Sequence, residues 1–280
     1  MPLIDLNSTL GESFGPWKIG MDDAMLRIVS SASIACGFHA GDPLIMQTTT
    51  GAARRADVGI GAQPGYPDLQ GFGRRNMNMT PYEIYAYTLY QIGALQAICR
   101  ANNVKLEYVK PQGALYERGS SDLPVAKSIA CAVRDASKNL ILVGQATSCF
   151  ESAAAEVGIS FAAEIYADRG YHEDGTLVPR GERGDVIADP RAATDRILRL
   201  LGEGLLETIA GTTIPMKVHT LGIHGDYPNA PQFAFAIKEA LEENGCTVAR
   251  MREVLEPGAG EGEALSVEEG QEFVENLAPL

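Results

Sequence analysis

Leu140-Ile141-Leu142-Val143-Gly144-Gln145 is an unbroken apolar run closed by a polar side chain. A run without polar alternation suits a strand buried on both faces, the condition of strands in a parallel sheet. Six other short apolar runs end the same way, at Asp5 and Asn7, His39, Gln63, Gln112, Glu164 with Asp168, and His224. In a parallel α/β barrel the functional groups come from the carboxyl ends of several strands, so a polar residue closing every run reads as a ring around one pocket.

The segments between the runs have helical character. The spacing predicts strands over 3–6, 34–38, 58–62, 106–109, 140–143, 161–166 and 218–223, and helices over 22–31, 43–56, 80–101, 123–137, 190–206 and 230–244. Thr80-Pro81-Tyr82-Glu83 carries a capping box, with Glu83 three residues after the cap. Strands alternating with helices imply parallel βαβ units, and seven of them imply a closed α/β barrel of the TIM type, with an open doubly wound sheet as the alternative. Residues 1–255 are read as one barrel domain. From 256 to 280 the chain turns to Pro, Gly, Ala and Glu, a solvated acidic tail or peripheral helix.

Apolar residues make up 45% and charged residues 21%, which suits a globular chain with a sizeable core. The formal charge of -13 argues against nucleic acid or an anionic membrane as the main partner. Cys36, Cys99, Cys131, Cys149 and Cys246 contain no CxxC pair and are read as reduced. No run approaches the roughly 20 apolar residues of a membrane span, and the amino terminus lacks a signal-peptide pattern, so a cytoplasmic protein acting on a small molecule is expected.

Each motif has a functional and a plainer reading. Asp5-Leu6-Asn7 with Glu12 could hold a water, a metal or an amide, or form a turn. His39 lies between small residues directly before a helix that Asp42 caps, a setting with little structural use for an imidazole. The loop 62–75 is long and rich in Pro and Gly, carrying Gln63, Tyr66, Asp68, Arg74 and Arg75, and reads as a lid whose arginines could hold a carboxylate. Its glycines fit no nucleotide fingerprint, and the chain has no P-loop. Lys110, with Gln112 and Tyr116 after it, ends an apolar strand and is either a base, an electrostatic anchor or the partner of a ring carboxylate. Asp168 and Arg169 could pair with each other or face substrate. Arg180 follows a turn at Asp174-Gly175, and His224 has Asp226 nearby to orient it. His172 and His219 are read as structural or surface residues.

Taken in order, DLN with GES at 5–13, IACGFHAGDP at 34–43, PGYPDLQGFGRR at 64–75, LYQIGALQA at 89–97, VKPQGALY at 109–116, DRGYHEDGTLVPR at 168–180 and IHGD at 223–226 resemble the LamB/YcsF family, the 5-oxoprolinase A-subunit proteins. The resemblance spans residues 3 to 250. It implies a seven-stranded β/α barrel related to polysaccharide deacetylases, and ATP-dependent opening of 5-oxoproline to glutamate with partner subunits. Asp5, Asn7, Glu12, His39, Asp42, Asp68, Lys110, Asp168, Arg169, Arg180, His224 and Asp226 match the family pattern. Thr9, Gln63 and Gln112 depart from it, standing where it has Asp, His and His.

An Asp and two His would make a divalent-metal site able to activate water. Gln is a weak, neutral ligand but both donates and accepts hydrogen bonds, so this pocket suits an amide, imide or carbonyl better than zinc. The expectation is therefore an enzyme acting on a lactam, cyclic amide or related carbonyl compound without a metal, a hydrolase, cyclase or isomerase of specialised metabolism. His39 and His224 would be acid and base, Lys110 and Asp5 would complete the catalytic set, and Asn7, Glu12, Gln63, Tyr66, Asp68, Arg74, Gln112, Tyr116, Glu164, Asp168, Arg169, Arg180 and Asp226 would line the substrate. No residue is assigned to a metal and no cofactor is expected; ATP or a divalent ion would enter if the family activity is kept. The alternatives are a conventional ATP-dependent subunit working with partner subunits, or an inactive scaffold. Partner subunits or a homo-oligomer are the assemblies open to it.

Overall fold

In the computed structural model, which describes residues 2–256, seven short strands close on themselves. The chain runs β1 (Leu3–Leu10), α1 (Asp22–Met25), β2 (Ser31–Ala35), α2 (Pro43–Arg55), β3 (Gly59–Gln63), α3 (Pro81–Ala101), β4 (Tyr108–Val109), α4 (Gly113–Ser121), α5 (Leu123–Ala136) and β5 (Ile141–Gln145). It continues through α6 (Cys149–Val157), β6 (Ser160–Tyr166), α7 (Pro190–Glu203), β7 (Leu205–Glu207), β8 (Thr213–Pro215), β9 (Thr220–Ile223), α8 (Ala230–Glu243), β10 (Thr247–Val248) and α9 (Met251–Leu255). The parallel order β1-β2-β3-β4-β5-β6-β9 returns to β1, with Asp5 opposite Thr220 and Ser8 opposite Ile223. Strand β10 adds to the start of β1, and β7 and β8 form a separate antiparallel pair. The acidic segment expected after 256 lies outside the described residues.

Strand alternation sorts the side chains into two layers. Leu6, Ile34, Ile60, Val109, Leu142, Ile165 and Leu221 belong to the large cluster between the barrel and its helices. Their alternate neighbours Tyr108, Ile141, Val143 and Ala162 form a second, interior cluster, joined by Met251 of α9. Above that layer the interior turns polar, and this change of character positions the candidate site.

All seven expected strands are in the ring, with shifted limits. Strand β1 runs four residues beyond Leu6, so Asp5 and Asn7 are interior positions rather than a strand end. The helix expected over 22–31 is a single turn, Asp22–Met25. Its continuation is drawn against β1, where Ser30 donates from its amide to Leu6 O at 3.0 Å and from its hydroxyl to Asp5 at 2.8 Å. The capping box forms as read: Thr80 Oγ1 accepts from Glu83 N at 3.3 Å, and Glu83 Oε2 accepts from Thr80 N at 2.7 Å. Thr80→Ala is expected to cost about 1 kcal/mol of stability in a urea unfolding curve, the usual loss of an N-cap.

Candidate active site

Three polar tiers rise through the barrel. The lowest is Asp5, whose carboxylate accepts from Ser30 at 2.8 Å, Ser31 at 2.5 Å and Thr220 at 2.5 Å. Burial pushes the Asp5 carboxyl up to about 6 against the pull of these hydroxyls. With its oxygens committed to three hydroxyls, Ser31 on β2, Thr220 on β9 and Ser30 just before β2, Asp5 ties β1 to β2 and β9 below the mouth.

The middle tier centres on Lys110 and Glu164, both buried. Lys110 Nζ donates to Glu164 Oε1 at 2.6 Å and Asn7 Oδ1 at 2.9 Å, and lies 4.7 Å from the centre of the Tyr166 ring. Asn7 Nδ2 donates to Glu164 Oε1 and Thr220 Oγ1, each at 2.8 Å, and Tyr116 donates to Glu164 Oε2 at 2.9 Å. Gly222 makes room for this arrangement, because a Cβ there would lie 2.6 Å from Glu164 Oε1. Of the readings open for Lys110, the geometry gives the partner of a ring carboxylate.

The top tier contains the family departures. Gln63 Nε2 donates to Gln112 Oε1 at 2.6 Å, and Gln63 Oε1 is buried without a hydrogen-bond partner among the described residues. His39 is fully buried, its ring edge-on to Phe72, and both its ring nitrogens lack such a partner. Burial pushes the His39 imidazole down to about 3, so it is neutral at physiological pH. Gly73, with φ +68°, lets the loop pass over His39; a Cβ there would come within 2.8 Å of the His39 Cβ.

On the opposite side, His224 Nδ1 lies 2.8 Å from Asp168 Oδ2, its Nε2 lies 2.8 Å from an Arg180 nitrogen, and its ring stacks on Tyr166 at 4.7 Å. Tyr227 donates to the same Asp168 oxygen at 3.3 Å. Burial acts to raise the Asp168 carboxyl, yet His224 and Arg169 hold it below the ordinary carboxylate range. Arg74 bridges to Asp226 at 2.5 Å, linking the loop after β3 to the loop after β9.

Several residues expected to line the substrate have partners within their own loops or on neighbouring helices. Asp68 is paired with Arg75 and accepts from Gly71 N, inside its own loop. Tyr66 turns its hydroxyl toward Arg118 at 3.5 Å. Arg169 does not pair with Asp168; it donates to Asp185 O at 2.9 Å and Val178 O at 2.5 Å, bracing the loop before α7. Gln145 donates to Gly175 O at 2.7 Å in that loop. Tyr166 and Tyr227, which sequence reasoning passed over, join the site; Tyr166 sits two residues after Glu164, on the same strand face.

Burial, then the charges of Asp226 and Asp22, push the Glu12 carboxyl up to about 8, with Arg74 and the Thr9 hydroxyl pulling the other way. The folded chain thus keeps a proton that the unfolded chain loses near the ordinary glutamate value of 4.5. Its stability contribution is full below that value and falls as pH rises toward 8, by about 1.4 kcal/mol per unit at most. Urea unfolding of Glu12→Gln is expected to show a flatter pH profile than wild type between about pH 5 and pH 8.

The residues present do not fit the metal that the family pattern implies. The two glutamine amides bond to each other, Thr9 supplies no charge, and no group of three His, Cys, Asp or Glu side chains able to hold a metal occurs among the described residues. The Gly-rich loop does not offer a phosphate cradle either: Gly71 N donates to Asp68 Oδ1, Gly73 N to Asp68 O and Arg74 N to Gly71 O.

A closed parallel barrel that gathers histidines, acids and arginines at the carboxyl ends of its strands has the architecture of β/α-barrel enzymes. The chain belongs to the LamB/YcsF family, whose model matches residues 4–256. It is 44% identical over 252 residues to the 5-oxoprolinase A-subunit of Pyrococcus horikoshii, covering 90% of this chain and 99% of that protein. It is 48% identical over 256 residues to the 5-oxoprolinase A-subunit of Coprothermobacter proteolyticus, covering 91% and 98%. The crystal structure of the lactam utilization protein from Thermus thermophilus superposes with a TM-score of 0.85 at 42% identity, covering 89% of this chain and 99% of that one. No helix among the described residues is long and apolar enough to cross a membrane.

Proposed function

We propose that this chain is a lactam- or cyclic-amide-directed enzyme that works without a bound metal. The observation that carries the reading is the Gln63–Gln112 amide pair beside a neutral His39 that has no hydrogen-bond partner among the described residues, where the family pattern has metal-ligating types. In a ring-opening reaction, His224 Nε2 takes a proton from water while the water oxygen attacks the ring carbonyl carbon. The developing oxyanion accepts hydrogen bonds from a glutamine amide and from His39. The C–N bond then breaks and the ring nitrogen takes the proton back from His224, so water has added across the amide. Asp168 holds the His224 ring, and Lys110 with Glu164 and Asn7 fixes the floor beneath Tyr166.

A second reading, ATP-dependent opening of 5-oxoproline with partner subunits, is favoured by the 44–48% identity to relatives named as the A-subunit of 5-oxoprolinase. Turnover of 5-oxoproline, hydantoin and succinimide by chelator-treated protein, with and without ATP, separates the two. The proposal expects turnover of at least one compound by the isolated chain in chelator, with no requirement for ATP. Turnover that needs ATP and additional chains would replace it with the second reading, and no turnover under either condition would favour a scaffold.

A further inference from the structure

The hydrogen bonds of His224 fix its tautomer. A guanidinium has five N–H donors and no lone pair, so the Arg180 nitrogen 2.8 Å from Nε2 must donate and Nε2 must accept. Nδ1, 2.8 Å from the Asp168 carboxylate, then carries the ring proton. The imidazole is oriented as a general base would be, but its basic nitrogen is covered by a cation.

Arg180 differs from the other two arginines at the mouth. Arg74 has Asp226 as its ion-pair partner, and Arg169 is tied into backbone carbonyls. Arg180, exposed at the rim, has no carboxylate within ion-pair distance among the described residues, and it donates a hydrogen bond to His224. Desolvation, then the charges of Arg169 and Arg74, act against its charged form, while Asp226 and Asp168 act in its favour. A guanidinium whose hydrogen bond among the described residues goes to an imidazole nitrogen, and not to a carboxylate, is drawn toward an anion, with which it forms a stronger, charge-assisted pair.

We infer that Arg180 is a positioning residue that covers the basic nitrogen of His224 until an anionic group on the substrate draws the guanidinium off, so that the base is uncovered only when an anionic cyclic amide is in place. This rests on the reading of His224 as the base. The device makes anion recognition and base activation one event, and it selects against neutral lactams of the same ring size.

The test has two arms. In the ligand-free protein, ¹⁵N spectra of labelled histidine are expected to show the Nδ1–H tautomer at His224, and Arg180→Gln is expected to raise the rate of His224 acylation by diethyl pyrocarbonate about tenfold, the factor for losing one hydrogen bond to a charged group. Arg180→Lys serves as the folded control, with an intermediate rate. A proton on Nε2, or equal acylation rates, overturns the latch whatever the substrate is. In the second arm, wild type is expected to bind 5-oxoproline about tenfold more tightly than 2-pyrrolidinone, with a shift of the His224 Nε2 resonance, and Arg180→Gln to lose both the preference and the shift. Preference retained in Arg180→Gln overturns the inference. If neither compound binds wild type, the lactam reading fails, and the first arm alone decides whether Arg180 covers His224.

Discussion

Lys110→Met is expected to destabilise the fold by about 3–5 kcal/mol, a large share of the roughly 5–15 kcal/mol that holds a domain folded. The reason is the environment of Glu164, whose side chain is 0% exposed and whose cationic partner, itself 1% exposed, lies 2.6 Å away. Without Lys110 the carboxylate keeps, among the described residues, the Asn7 amide and the Tyr116 hydroxyl as donors. Attraction between two buried charges barely offsets their desolvation, but removing one partner leaves the whole penalty of the other. Lys110→Met/Glu164→Leu should therefore recover most of the loss, giving a strongly non-additive cycle in urea unfolding at 25 °C. A single-variant cost below about 1 kcal/mol would mean that the pair is hydrated and the tier is not the closed floor described here.

His224→Ala is expected to lower kcat for ring opening by about 10²–10⁴-fold, the usual worth of a positioned general base. The fold should tolerate the change, because the ring stacks on Tyr166 at the rim with 15% of its side chain exposed. Asp168→Asn should lower kcat to a similar extent by a different route: an amide can present its NH₂ to Nδ1 and favour the wrong tautomer, turning the basic nitrogen away from Nε2. Unchanged kcat in both variants, with circular dichroism intact, would remove the dyad from the chemistry and return attention to His39 and Glu12.

The barrel was legible because several of its strands, buried on both faces, are short apolar runs, a signal that needs no partner to be read. Ile141, Leu142 and Val143 are such a case: Ile141 and Val143 fill the barrel while Leu142 packs against the helices. Three helices, α4, α6 and the short α9, fall outside the expected set. The α4 helix starts at Gly113, in a left-handed conformation, and is rich in Gly and Ser, so its composition resembles a loop. The α6 helix did carry a cue, Ser148 with Glu151 three residues on, the same spacing that marked Thr80 and Glu83.

The site was legible as a list of residues but not as a set of pairs. His39, Gln63, Gln112 and His224 stand out one at a time, yet the bonds of Gln63 to Gln112, Lys110 to Asn7 and Arg74 to Asp226 join residues 49, 103 and 152 positions apart. Only closure of the ring determines them. Asp5 is a different case: its place in a motif marked it as a strand-end residue, and the length of β1 puts it inside the strand, where its carboxylate accepts from three hydroxyls.

The central claim, that the Gln63–Gln112 pair has replaced metal coordination by amide recognition, is tested most directly by metal content after equilibrium dialysis. Chelator-treated wild type and Thr9→Asp/Gln63→His/Gln112→His would be dialysed side by side against Zn²⁺ and Mn²⁺ and analysed for bound metal. The account predicts no stoichiometric metal in wild type and one equivalent in the triple variant, whose three changes restore one acid and two imidazoles. One equivalent retained by wild type and lost on Gln63→Ala would contradict it.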